Sequence, residues 1–222
     1  MFKIAIDGPS GSGKSTLAKN LAAKLGFVYV DTGALYRTVG LYVYRKGIDP
    51  HSAHEVISSL TDISVSIRYI NSEQRTFLGD EDVSRDIRLP EISMYASAVS
   101  AIPEVREFLL SAQKDIIAKS NVIMDGRDIG TVIMPDADVK LFLISNNEAR
   151  AARRYEELLA KGVETTYESV LSDLEKRDKN DSSRSVAPLI PAHDAIFIDN
   201  SEFTPEQTFS HALEIIKSRI NI

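Results

Sequence analysis

Five short apolar runs recur along the chain, at residues 2–7, 27–31, 121–125, 139–145 and 195–200. Each is rich in Val, Ile or Phe, and most are bounded by Gly, Pro, Asp or Asn. Continuous apolar strands of this kind belong to a parallel sheet covered on both faces. Between them apolar positions fall at helical spacing. Leu17, Ala18, Leu21, Ala22 and Leu25 make one stripe, with Gly26 as its stop. Pro103 opens another, carried by Val105, Phe108, Leu109, Ala112 and Ile116. Ser145 and Glu148 stand at capping-box spacing ahead of a further helix. Thr204, Pro205 and Gln207 repeat that signal before Phe209, Ala212, Leu213, Ile216 and Ile220. Strand and helix alternate, which predicts an α/β fold with a mainly parallel sheet.

One stretch departs from the alternation. Ile63, Val65, Ile67 and Tyr69 fall at period two, and Asn71-Ser72-Glu73 can turn the chain into a second strand near residues 75–78. That is a hairpin with one polar face, suited to an antiparallel insertion on the surface. It predicts a small second domain over residues 60–90. The chain shows no internal repeat and no low-complexity segment.

Composition narrows the function classes. At 222 residues the chain has room for one large domain, or a core with small insertions, and its 43% hydrophobic and 26% charged content is ordinary for a soluble protein. A net charge of −6 argues against nucleic acid as the main partner. With no cysteine, disulfides, thiolate catalysis and thiolate metal sites are removed. The start runs straight from Met1 into the first strand and leaves no apolar leader, and no window is long enough to span a membrane. These features predict a soluble, cytoplasmic protein without a membrane partner; a monomer is expected, although nothing in the residues themselves fixes the oligomeric state.

The chemistry begins at Gly8-Pro9-Ser10-Gly11-Ser12-Gly13-Lys14-Ser15, which matches the full Gly-x4-Gly-Lys-Ser pattern of a P-loop. Backbone N–H groups must wrap around phosphate oxygens, and a Cβ would block the approach or forbid the dihedrals. A strand precedes the motif and an amphipathic helix follows, as it requires. The expected triphosphate-binding residues are therefore Gly8, Pro9, Ser10, Gly11, Ser12, Gly13, Lys14, Ser15 and Thr16. Lys14 reaches the β- and γ-phosphates, the helix N-terminus favours the anion, and the Ser15 hydroxyl can ligate Mg²⁺ accompanying ATP.

A P-loop alone leaves switch GTPases, motors and small-molecule kinases open. The Asn-Lys-x-Asp and Asp-x-x-Gly elements of GTPases occur nowhere in the chain. Instead, surplus arginines stand where an acceptor site is needed. Asp31-Thr32-Gly33-Ala34-Leu35-Tyr36-Arg37 follows the second strand, and Gly126-Arg127-Asp128-Ile129-Gly130 follows the third. Both reach the strand-end edge that holds ligands in open parallel sheets. Arg177, Asp181 and Arg184 form a late charged cluster, and Arg150, Arg153 and Arg154 share one helix face. Taken alone, the first set reads rather as a solvated charged loop and the second as a solvated helix face.

Together the motifs resemble the bacterial cytidylate kinases, CMP/dCMP kinases of the nucleoside monophosphate kinase family. The resemblance rests on Ile6–Ser15, on Asp31–Arg37, on Asp125-Gly126-Arg127-Asp128-Ile129-Gly130-Thr131-Val132, on Arg177-Asp178-x-x-Asp181-x-x-Arg184 and on Val186-Ala187-Pro188-Leu189. Their order and spacing match to about residue 200. The resemblance implies a five-stranded P-loop core of order 2-3-1-4-5 with helices on both faces. It also implies a monophosphate-binding insertion, matching residues 60–90, between core segments 1–59 and 91–222, and a short helical lid at 147–165. By the same resemblance, Ser97, Arg106 and Asp128 contact cytosine, with Arg184 nearby on base or phosphate. Arg37 and Arg127 hold the acceptor phosphate beside Thr32 and Gly33, and Arg177 with Asp181 holds the ribose. Arg150, Arg153 and Arg154 become lid arginines that act with Lys14 and Arg127 in catalysis. Thr32 stands where many members have Ser, and Ser15 where some have Gly.

Physical chemistry agrees with that assignment. Cytosine offers a 4-amino donor that Asp128 can accept, while uracil reverses the pattern on that edge. The expected reaction is direct in-line transfer from MgATP to the phosphate of CMP or dCMP, whose oxygen needs no general base near neutrality. A kinase for UMP, a nucleoside or a hydroxy acid such as shikimate is the alternative enzyme, and a nucleotide-binding switch or RNA-binding module the alternative class. His51, His54, His193 and His211 lack metal-ligand spacing, and Tyr36, Tyr42 and Tyr44 read as packing on the helix after the second strand. Asp125 can steer Mg²⁺ through water or cap the following turn.

Overall fold

A computed structural model describes residues 1–71, 73–160 and 162–221. Ser72 of the expected turn, Lys161 of the expected lid and the Ala112 side chain lie outside the described residues. In chain order the elements are β1 (Lys3–Asp7), α1 (Lys14–Leu25), β2 (Val28–Asp31), α2 (Thr32–Arg45), α3 (Ala53–Ser59), β3 (Val65–Ile70), β4 (Glu73–Leu78), β5 (Glu81–Asp82), α4 (Pro90–Val99), α5 (Pro103–Ile117), β6 (Val122–Gly126), β7 (Val139–Ile144), α6 (Asn147–Ala160), α7 (Tyr167–Ser183), β8 (Ile196–Asp199) and α8 (Pro205–Arg219). The five parallel strands run in the order β2-β6-β1-β7-β8, and β3-β4-β5 make a separate antiparallel sheet. With the insertion strands left out of the count, the parallel order is 2-3-1-4-5.

The chain divides into two compact units: residues 1–29, 121–183 and 187–222 form the first, and residues 30–120 with 184–186 the second. In the first, β1 lies between β6 and β7, with Asp7 level with Gly126 on one side and Phe142 on the other. Ile4, Ile6, Ile123, Leu141 and Leu143 of the sheet pack with Leu17 and Leu21 of α1 and with Ala212 and Ile216 of α8. The helical stripes seen in the sequence are therefore the faces turned to the strands. Gly26 ends α1 in the left-handed region, and the Thr204–Gln207 capping box opens α8. Ala151 and Leu158 of α6 pack with Val170 and Leu174 of α7 as a smaller cluster.

The cap of α6 differs from expectation. β7 runs to Ile144 and α6 begins at Asn147, so Asn146, not Ser145, stands one residue before the helix. Its Oδ1 accepts the Ala149 N–H at 2.7 Å. Ser145 Oγ instead accepts from Arg153 at 3.2 Å. The charged run at 175–183 is part of a helix, α7, rather than a loop.

In the second unit, the antiparallel hairpin pairs Val65 with Leu78 through Ile70 with Glu73. Ile63, Val65, Ile67 and Leu78 pack with Leu35, Val39 and Val43 of α2 and with Val105 and Leu109 of α5, so the period-two face is turned inward as far as Ile67, while Tyr69 is exposed. Strand β5 has only two residues, too few to show a period; Thr76 holds the returning chain by accepting the Val83 N–H at 3.0 Å and donating its own to Ser84 at 2.9 Å. Tyr36 and Tyr42 pack in this core, and Tyr44 meets Tyr95 edge-on at 5.3 Å. At Gly40 the helices α2 and α4 approach closely: a Cβ there would lie 2.9 Å from the Ala96 nitrogen. Gly40→Ala is expected to cost about 2 kcal/mol, read as a fall of roughly 4–8 °C in Tm. An unchanged melting curve would show that the two helices can separate freely. No helix among the described residues is long and apolar enough to cross a membrane.

Candidate active site

The β1–β6 register sets the site. Because Asp7 is level with Gly126, the loop after β1 and the turn carrying Arg127 and Asp128 leave the same edge of the sheet side by side. Gly8, Gly11 and Gly13 all have positive φ (147°, 74° and 88°), and Gly13 caps α1 in the left-handed region. The amides opening α1 thus face the loop, which is the geometry an anion requires.

Side chains from far along the chain hold that loop. The Ser10 N–H donates to Asp178 at 3.1 Å, while Arg150 donates to the Ser10 carbonyl at 2.7 Å and to Asp178 at 2.5 Å. Asn200 donates to the Ser12 carbonyl at 2.9 Å. Lys14 is folded back, with its ammonium on the Pro9 carbonyl at 2.5 Å and on Ser12 Oγ at 3.2 Å. Burial and the nearby Arg127 charge push its pKa well below the usual lysine value, against the pull of Asp125, Asp7 and Asp178.

Of the three expected lid arginines, Arg150 is buried in that clamp and also donates to Asn147 and the Ser145 carbonyl. Arg153 donates to the Asn200 carbonyl at 2.6 Å, and Arg154 pairs with Glu157 at 2.8 Å. Arg150 and Arg153 are brought to the loop region; Arg154 is engaged on its own helix.

Asp125, at the end of β6, accepts from Ser15 Oγ at 2.7 Å and from Tyr29 OH at 2.9 Å. The hydroxyl and carboxylate make an oxygen-only pair beside the phosphate loop, and that donor chemistry fits Mg²⁺. No group of three or more His, Cys, Asp or Glu side chains among the described residues could hold a metal.

Arg127 Nε donates to Asp181 of α7 at 2.8 Å. Burial works against the Arg127 charge, but the Asp181 carboxylate holds its pKa above the usual arginine value. Asp128 is buried at 5% exposure, and Arg177 lies one helical turn before Asp181. Asp7 accepts the N–H groups of Ile129 at 2.9 Å and Gly130 at 2.8 Å. Burial raises its pKa to about 6, Asp128 adding to the effect while the two N–H bonds and Lys14 oppose it.

In the second unit, Thr32 and Gly33 are not loop residues but the first turn of α2, which Asp31 caps through the Ala34 N–H at 2.9 Å. Buried Asp31 also pairs with Arg88 at 2.6 Å and Arg37 at 3.7 Å. Burial alone would raise its pKa; the two guanidinium groups more than offset this and hold it below the usual carboxylate range. The Gln74 side chain accepts the Asp31 N–H at 2.8 Å and donates to its carbonyl at 3.3 Å, tying the hairpin to this helix start. Around Ser100 a second set converges. Arg184 donates to its Oγ at 3.0 Å and Arg106 to its carbonyl at 3.2 Å, while Ser100 Oγ donates to the Ser97 carbonyl at 2.8 Å. Arg106 also lies over the Tyr36 ring at 5.4 Å.

Sequence reasoning passed over Asp7, Gln74, Arg88, Ser100, Asp178 and Asn200. Asp178 lies inside the Arg177–Arg184 motif and Asp7 immediately precedes the loop, so both positions were visible. Their partners were not, being 168, 122 and 123 residues away.

A family model described as Cytidylate kinase matches residues 4–218. A cytidylate kinase of Fervidobacterium nodosum is 51% identical over 222 residues, covering 99% of this chain and 98% of the relative. One of Caldicellulosiruptor bescii is 47% identical over 214 residues, covering 96% and 95%. Among solved structures, an uncharacterized protein from Eubacterium ventriosum has a TM-score of 0.51 at 16% identity, covering 98% and 99%, a likeness of fold alone. A match over nearly the whole chain, with relatives of that name at 47–51% identity, places the chain in the cytidylate kinase family.

Proposed function

We propose that the protein transfers the γ-phosphoryl group of ATP to CMP and dCMP, giving CDP and dCDP, by direct in-line displacement. The observation that carries this reading is the β1–β6 register, which sets the Lys14 loop level with the Arg127–Asp128 turn in a chain of this family. Lys14 swings from the Pro9 carbonyl onto the β- and γ-phosphates, whose negative charge favours its ammonium form. Arg127, held at Nε by Asp181, meets the acceptor phosphate, and Arg37 serves the same phosphate from the start of α2. Ser15, backed by Asp125, would hold the Mg²⁺ that accompanies ATP; the ion supplies neutralisation of phosphate charge. Asp128 accepts from the cytosine amino group, and Ser97, Arg106 and Arg184, gathered on Ser100, complete the base side. Arg177 and Asp181 serve the ribose. Residues 60–90 form the monophosphate-binding insertion and 147–165 the lid, with Arg150 and Arg153 linking lid and phosphate loop.

The test is a steady-state comparison of CMP, dCMP, UMP, AMP and shikimate with ATP, in wild type and Asp128→Ala. CMP is expected to exceed UMP in kcat/KM by about tenfold or more. A buried carboxylate facing the uracil carbonyl costs of order 1–3 kcal/mol. Asp128→Ala is expected to narrow that gap by lowering the rate with CMP. Equal rates for CMP and UMP in wild type would overturn the cytosine assignment, and turnover of shikimate alone would move the chain to the hydroxy-acid kinases.

A further inference from the structure

We propose that Asp7 is a positioning residue for the acceptor turn: its buried carboxylate grips the N–H groups of Ile129 and Gly130, and so sets where Arg127 and Asp128 stand relative to the phosphate loop. The inference rests on the CMP kinase reading and adds to it a residue that touches neither substrate.

The turn after β6 is unusually wide. The Met134 N–H reaches the Ile129 carbonyl at 2.6 Å, five residues back, while the Val132 and Ile133 N–H groups share the Asp128 carbonyl at 2.9 and 3.2 Å. Those bonds use the carbonyls of the turn but leave the N–H groups of Ile129 and Gly130, at its start, without partners inside it. Buried amides need acceptors. Asp7 supplies both, one oxygen to each, at 2.9 and 2.8 Å. The side chain is 4% exposed, so water does not substitute for it.

A carboxylate is a costly choice at this depth, as the rise of its pKa to about 6 reflects. An amide would avoid the charge but offers only one acceptor, and its NH₂ would face an N–H. Two-fold acceptance is the property that only the carboxylate brings. Gly130 shows the same requirement from the other side. A Cβ there would lie 3.1 Å from Lys140 Cδ and 3.4 Å from Asp7 Oδ2, so the backbone can rest on the carboxylate because it is glycine.

Position gives the grip its consequence. Asp7 is the residue before Gly8, so the chain that begins the donor loop also anchors the acceptor turn. In-line transfer tolerates little error between the two, and a misplacement of about 1 Å can cost a hundredfold in rate. Asp181 fixes Arg127 from α7 at one end, and Asp7 fixes the backbone behind it at the other.

The test is calorimetric and kinetic, on Asp7→Asn and Gly130→Ala beside wild type. The quantity read is the ratio of Kd for cytidine to Kd for CMP, which isolates what the acceptor phosphate contributes. Asp7→Asn is expected to lower that ratio about tenfold and kcat with it, while the Kd for ATP stays within about threefold. Gly130→Ala is expected to move the ratio in the same direction, and decides alone if Asp7→Asn does not fold. Ile216→Ala, a core truncation in α8, which carries none of the proposed site residues, controls for lost stability and should leave the ratio unchanged. An unmoved ratio in the folded variants, or a loss of ATP affinity by the same factor, would make Asp7 a purely structural residue and overturn the proposal. A wild-type ratio near one would instead overturn the CMP reading, and the positioning role with it.

Discussion

Lys14→Ala is expected to lower kcat by about 10²–10³-fold while leaving Tm unchanged or raised. The two halves of that expectation come from different states of one side chain. In the free protein the ammonium is buried against the Pro9 carbonyl, where burial and Arg127 depress its pKa. A charge held against its desolvation contributes little to folding, so truncation removes a cost along with a hydrogen bond. In the proposed transfer, the same ammonium faces the charge that builds on the phosphoryl oxygens, and its loss is expected to fall mainly on the transition state. Steady-state rates with CMP and ATP, read beside a melting curve, separate the effects. Near-normal turnover would remove Lys14 from the chemistry, and a large fall in Tm would make it a structural residue.

Gly8→Ala is expected to damage the fold itself. A Cβ at this position would lie 2.3 Å from the Leu143 carbonyl oxygen, and φ is +147°. Neither strand can yield, because β1 is bound to β6 and β7 on its two sides and β7 is bound to β8 in turn. The clash and the strained dihedral together cost about 3 kcal/mol or more, a fall of roughly 6–12 °C in Tm for a chain of this size. ATP binding should fall with it, since the loop begins at this residue. A melting temperature matching wild type would mean that the loop and β7 can part without loss, contrary to the register.

What could be read locally was read well. The apolar runs mark all five parallel strands, most strongly the central β1, β6 and β7, which are buried along nearly their whole length, where an unpaired polar residue is costly. Gly26 and the Thr204–Gln207 box mark helix ends because caps act within one turn. The hairpin declared itself by period, apart from β5, too short to have one. The phosphate loop was legible because its chemistry lies in eight consecutive residues. Ser145 was misread as a cap because residue spacing alone cannot show where β7 stops.

Partnership was a different matter. Asp178 and Arg150 on the Ser10 backbone, Asn200 on the Ser12 backbone and Gln74 on the Asp31 backbone are contacts between side chains and distant backbone, and Arg184 meets the Ser100 side chain from 84 residues away. Such pairs obey no period and have no composition of their own. They exist only once parallel pairing has set strand ends side by side. The amino-acid sequence by itself determined the phosphate loop, the strands that carry it and the residue types of an acceptor site. The tertiary structure decided which of those side chains hold one another. Hydrophobic periodicity is a local property of the chain, whereas a hydrogen bond spanning more than a hundred residues is a property of the sheet register.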